Sequence, residues 1–101
     1  MIVEYIRYRI TGDPEAFEAA YTNAQSSLQS SPNCLGWELT RCHEEPDRYI
    51  LRIEWDSLEG HMQGFRKSRE FRPFLAEIRP YINQIEEMQH YTLTAVRSST
   101  T

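Results

Sequence analysis

The apolar residues of this chain follow a period of two in some segments and a helical period in others, and the order of those segments constrains the fold most. In residues 2–10, Ile2, Glu4, Ile6, Tyr8 and Ile10 share one side and Val3, Tyr5, Arg7 and Arg9 the other, a strand pattern rich in β-branched and aromatic residues. Asp13 before Pro14 then predicts a helix start, and Phe17, Ala20, Tyr21, Ala24 and Leu28 follow on one helical face. Ser30, Ser31, Pro32 and Asn33 break that helix. Leu35, Trp37 and Leu39 alternate with Gly36, Glu38 and Thr40. After a turn at Glu44, Glu45, Pro46 and Asp47, residues Tyr49, Leu51, Ile53 and Trp55 alternate with Ile50, Arg52 and Glu54. The short link makes these two strands a hairpin. Glu38, Thr40, Arg52 and Glu54 fall on its polar face.

Asp56 or Ser57 caps the next helix, with Glu59 in capping-box spacing from Asp56. Leu58, His61, Met62 and Phe65 form its apolar stripe, which Phe71, Phe74, Leu75 and Ile78 continue. Gly64 weakens the helix, Ser68 restarts it, and Pro73 marks a kink or a new first turn. Arg79 and Pro80 end it. Residues 85–96 form a last strand that includes Met88, His90, Tyr91 and Leu93.

The resulting order is β-α-β-β-α-β. Each helix has one apolar stripe to hide, so the expected fold is α+β and ferredoxin-like: a four-stranded antiparallel sheet with both helices on one face. Its other face is left bare, with Ile50 and Met88 among the candidates for it. Such a half-apolar face invites a second copy, so a homodimer is expected. The 101 residues suit one domain over residues 1–96, followed by a polar tail at 97–101.

Composition excludes several function classes. Net charge is −4, and the basic residues Arg52, Arg66, Lys67, Arg69 and Arg72 are interleaved with Glu54, Asp56, Glu59 and Glu70. That pattern reads as a solvated helix face, and nucleic acid is not expected as a partner. No apolar run is long enough for a membrane span, and no leader pattern is visible at the N-terminus. Cys34 and Cys42, on one extended strand, would lie about 26 Å apart and cannot bond to each other. Free thiols and a cytoplasmic location follow as expectations. His43, Glu44, Glu45 and Asp47 at the hairpin, with His90 on the last strand, read as a solvated turn and not a metal centre. No phosphate loop or dinucleotide fingerprint is present, so no flavin, nicotinamide or other cofactor is expected.

His61 is the leading candidate for chemistry. Its ordinary pKa near 6.5 suits proton transfer at neutral pH, and the alternative is that it packs in the core. Trp37, Trp55, Phe65, Phe71 and Phe74 either wall a planar substrate or form the core, and in a chain this small the two overlap. Tyr5, Arg7 and Tyr91 either stabilise an oxyanion or serve an interface and surface pairs with Glu38 or Glu54. Their register is open, and a slip of one residue exchanges the sheet faces.

The order of elements, the run from Ser31 through Leu39, the strand end Arg52-Ile53-Glu54-Trp55, and Leu58, His61, Ser68, Phe71 and Phe74 together resemble the antibiotic biosynthesis monooxygenase family. The resemblance covers residues 2–94. It implies a dimeric α+β barrel and a cofactor-independent oxidation of a quinol-like or polycyclic aromatic molecule by O2. His61 would be the base, with Tyr5, Arg7 or Tyr91 holding the anion and the Trp and Phe side chains forming the walls. The same fold also includes proteins that only bind a small aromatic ligand or only dimerise. Heme degraders in the family carry a late-helix histidine, a mid-helix tryptophan and a first-strand asparagine. Here residues 71–78 hold no histidine, Gly64 stands near the tryptophan position, and residues 5–7 hold no asparagine.

Overall fold

The computed structural model describes residues 1–98. Four strands, β1 (Ile2–Arg9), β2 (Cys34–Arg41), β3 (Arg48–Trp55) and β4 (Ile85–Thr92), form one antiparallel sheet in the order β2-β3-β1-β4. The helices α1 (Pro14–Ser30) and α2 (Phe71–Ile78) cover one face. The architecture is the expected ferredoxin-like one.

Local chemistry accounts for most boundaries. Asp13 caps α1 by accepting a hydrogen bond from the Glu15 amide at 3.0 Å, and Pro14 occupies the first turn, where its missing N–H costs nothing. Phe17, Ala20, Tyr21, Ala24 and Leu28 are all buried, as the helical spacing predicts. Phe17, Tyr21, Ala24 and Leu28 meet Tyr8 of β1 and Tyr49, Leu51 and Ile53 of β3 in one core cluster. Pro73 falls within the first turn of α2, where a backbone donor is dispensable, so it marks a new helix and not a kink.

The segment after Trp55 departs from the expected continuous helix. Ser57, not Asp56, caps it, with the Ser57 hydroxyl accepting from the Gly60 amide at 2.8 Å. Glu59 makes no capping hydrogen bond. A π-helical turn spans Gly60–Gly64, a 3₁₀ turn spans Phe65–Lys67, and only then does α2 begin. The wider turn breaks the stripe: His61 and Phe65 are buried, but Leu58 is 48% exposed. Glycine is required at both ends. A Cβ on Gly60 would collide with the Asp56 carboxylate, and one on Gly64 with the Asn33 amide. Asn33 itself ties this turn to the end of α1, donating from Nδ2 to Asp56 Oδ2 at 2.9 Å.

Two further expectations are corrected. Met88 pairs with Ile6 and lines a groove on the helix side, so it is not on the bare sheet face, whereas Ile50 pairs with Arg7, whose side is bare. The last strand stops at Thr92, and Val96 is 91% exposed because no neighbouring strand reaches it. Of the expected 97–101 tail, residues 99–101 lie outside the described residues.

Candidate active site

Glu4 stands in the middle of an apolar side of β1, between Ile2 and Ile6, and is only 3% exposed. Antiparallel pairing sets it directly opposite His90 on β4. Trp55, at the end of β3 and fully buried, donates its indole N–H to Glu4 Oε1 at 3.1 Å. The π-helical turn lowers His61 onto this group. Its ring stacks on Trp55 with centroids 4.4 Å apart and planes 16° from parallel. His61 Nε2 lies 3.5 Å from Glu4 Oε1, and His61 Nδ1 lies 2.7 Å from His90 Nε2. One imidazole thus bridges a buried carboxyl and a second imidazole.

Burial sets the protonation of this chain. Desolvation pushes the Glu4 carboxyl up to about 7, against the opposing pull of the Trp55 N–H and the Arg66 charge. Desolvation lowers His61 to about 4, helped by His90 and Arg66. His90 is lowered for the same first reason, with Arg66 adding to it. Both histidines are therefore neutral near pH 7, while Glu4 is poised between its two forms. One carboxylate and two imidazoles within 4.8 Å are also a donor set that a divalent transition metal accepts. Here His90 is hydrogen-bonded to His61 Nδ1, while Glu4 stands 3.5 Å from Nε2 of the neutral ring, so the hydrogen-bonded proton path runs between the two imidazoles.

A groove of about 190 Å³ opens beside this group, lined by Glu4, His61 and Arg66 together with apolar side chains that include Phe71, Phe74 and Met88. An apolar cavity of about 150 Å³ holds benzene, so this space suits one or two fused rings.

The expected site residues separate into three groups. Phe71 and Phe74 line the groove, while Trp55 and Phe65 pack behind His61 as its floor. Trp37 is elsewhere: on edge strand β2 it donates to Gln25 of α1 at 3.0 Å and borders a separate depression with Glu18 and Tyr21. Tyr5, Arg7 and Tyr91 alternate away from Glu4 and His90, onto the bare sheet face, and do not converge on the imidazole. Tyr5 packs edge-on against Tyr91 and accepts from Arg52, and Arg7 pairs with Glu87 at 3.2 Å and not with Glu38 or Glu54. Glu4 and Arg66 are groups that sequence reasoning did not single out, and His90, which it set with the hairpin acids, sits instead against His61. For Glu4 a signal existed, since an acid at an inward strand position has to be matched by a buried partner.

The sequence profile of the antibiotic biosynthesis monooxygenase family matches residues 1–77. YczJ, an uncharacterized protein of Bacillus subtilis, is 29% identical over 80 residues, covering 79% of this chain and 84% of its own. A Bordetella bronchiseptica structure named for the same family superposes with a TM-score of 0.75 at 27% identity, covering 92% of this chain and 96% of that one. SnoaB, a cofactor-independent oxygenase from Streptomyces nogalater, shares the fold with a TM-score of 0.74 at 16% identity, covering 99% of this chain and 97% of that one.

Proposed function

Because the chain belongs to the antibiotic biosynthesis monooxygenase family, we propose that it oxidises a quinol-like aromatic molecule with O2, using no bound cofactor. The supporting observation is the buried imidazole of His61, tied to Glu4 and His90 and facing an apolar groove. Oxygenation of a quinol begins with loss of a ring hydroxyl proton, which makes the ring electron-rich enough to meet O2. His61 takes this proton on Nε2, which stands 3.5 Å from the Glu4 carboxyl, and its Nδ1 proton passes to His90 Nε2. One oxygen atom enters the ring and the other leaves as water, with all four electrons drawn from the substrate. The apolar walls exclude bulk water from the anion. SnoaB shows that this fold can host oxygenation without a cofactor.

The working unit in this reading is the single domain of residues 1–96, paired with a second copy across the bare sheet face that carries Tyr5, Ile50 and Tyr91. A cytoplasmic setting accords with the free thiols of Cys34 and Cys42. No helix among the described residues is long and apolar enough to cross a membrane.

The test is oxygen uptake under air with a naphthohydroquinone, in the presence of a chelator. Uptake that His61→Ala abolishes is the expected result, and uptake unchanged in that variant removes the proposed base. A ligand that raises the melting temperature without any oxygen uptake would mark a binding module instead. Light scattering at micromolar concentration tests the dimer, and a monomer there contradicts it.

A further inference from the structure

Resting on the same groove, we propose that its ligand is an aromatic acid whose carboxylate is held by Arg66. The rings occupy the space between Phe71, Phe74 and Met88, and the acid sits at the rim. Three observations carry this.

Arg66 lines the groove that Glu4 and His61 line, and its guanidinium carbon lies 5.5 Å from the centroid of the Phe71 ring, another groove wall. Such stacking holds a guanidinium flat with its N–H edge free for an anion. Among the described residues Arg66 has no carboxylate within 4 Å, as Arg69 and Arg72 beside it have none, whereas Arg7, Arg9, Arg41, Arg48 and Arg52 are each paired. Finally, Arg66 borders an adjoining depression of about 400 Å³ whose rim bears Arg66, Lys67, Arg69 and Arg72 and no acidic side chain. This concentration of positive charge lies on a chain whose net charge is −4. An anionic ligand is drawn toward such a rim and bound there by a charge-assisted, two-pronged hydrogen bond.

Burial leaves Glu4 only partly charged near pH 7, which limits its repulsion of the ligand's carboxylate. Arg7 cannot hold this carboxylate, since it lies on the other sheet face and is paired with Glu87.

Calorimetric titration with 2-naphthoate and its neutral counterpart 2-naphthamide tests the assignment. The unmodified protein is expected to bind the acid about tenfold tighter than the amide. Added salt should erode that preference. Arg66→Gln should equalise the two affinities by weakening the acid alone, and Arg66→Lys should keep part of the difference. Arg66 is exposed, so its variants should melt with the unmodified protein. Equal binding of acid and amide by the unmodified protein, or a preference that survives Arg66→Gln, overturns the assignment while leaving the groove intact. Binding of neither ligand overturns both the assignment and the groove as the ligand site.

Discussion

Two polar clusters are buried on the same side of β1, roughly 13 Å apart along the strand, and they differ in kind. At one end Glu4, His61 and His90 meet beside the groove. At the other the Tyr8 hydroxyl bonds the Tyr21 hydroxyl at 2.5 Å, inside a ring of aromatic edges from Phe17 and Tyr49. In the tyrosine pair each hydroxyl is the other's hydrogen-bond partner. Burial pushes Tyr8 up to about 12 and raises Tyr21 as well, so neither hydroxyl ionises in the physiological range. The Glu4 cluster also prefers neutral forms, but its carboxyl is pushed to about 7 and can exchange a proton. Burial makes one cluster inert and the other reactive because a phenol starts far above neutrality and a carboxylic acid below it.

The contrast can be broken most forcefully at Trp55, which supplies both the floor for His61 and a hydrogen bond to Glu4. Trp55→Ala should cost about 4 kcal/mol in urea unfolding, by cavity formation and by orphaning the carboxyl.

A pH experiment sharpens the contrast next. Relative to an unfolded chain with Glu4 near 4.5 and His61 near 6.5, the folded chain raises the first to about 7 and lowers the second to about 4. Between pH 4.5 and 6.5 the folded state gains a proton on Glu4 and lacks one on His61, so the two linkages cancel and stability contributed by this pair is flat. Glu4→Gln removes the first. The unfolded state then binds more protons, and stability should fall by about 3 kcal/mol as pH drops from 6.5 to 4. An equally flat profile in Glu4→Gln would show that His61 is not held neutral by burial.

On activity, His61→Ala is expected to slow oxygen uptake by at least about 100-fold, measured electrochemically against the unmodified protein. The smallest effect belongs to the inert cluster. Tyr21→Phe should cost about 1 kcal/mol of stability, read from its melting curve, by leaving the Tyr8 hydroxyl without its partner. Oxygen uptake should not change, and a large loss there would mean that the two clusters are coupled.

Much of this molecule was legible in its sequence. Strand alternation assigned Glu4 and Tyr8 to one side of β1 and Tyr5 and Arg7 to the other, and Asp13-Pro14 marked the start of α1. Those signals are local: they depend on side-chain period and on which residue can satisfy a free backbone amide. The aromatic stripe after Trp55 was also visible, though not the π-helical turn within it. That turn depends on the Asn33 side chain, which reaches from a segment distant in the chain to bond Asp56 and crowd Gly60 and Gly64.

Sequence periodicity alone therefore determined the order of elements, the single-faced sheet and an imidazole among aromatic rings. Only the tertiary structure decided which charged groups that imidazole would meet. Pairing of β1 with β4 brought Glu4 opposite His90, and the same pairing carried Tyr5, Arg7 and Tyr91 away from the groove. The physical reason is that a side chain's period is written in its own segment, whereas its partners depend on strand register and on how the intervening turns close.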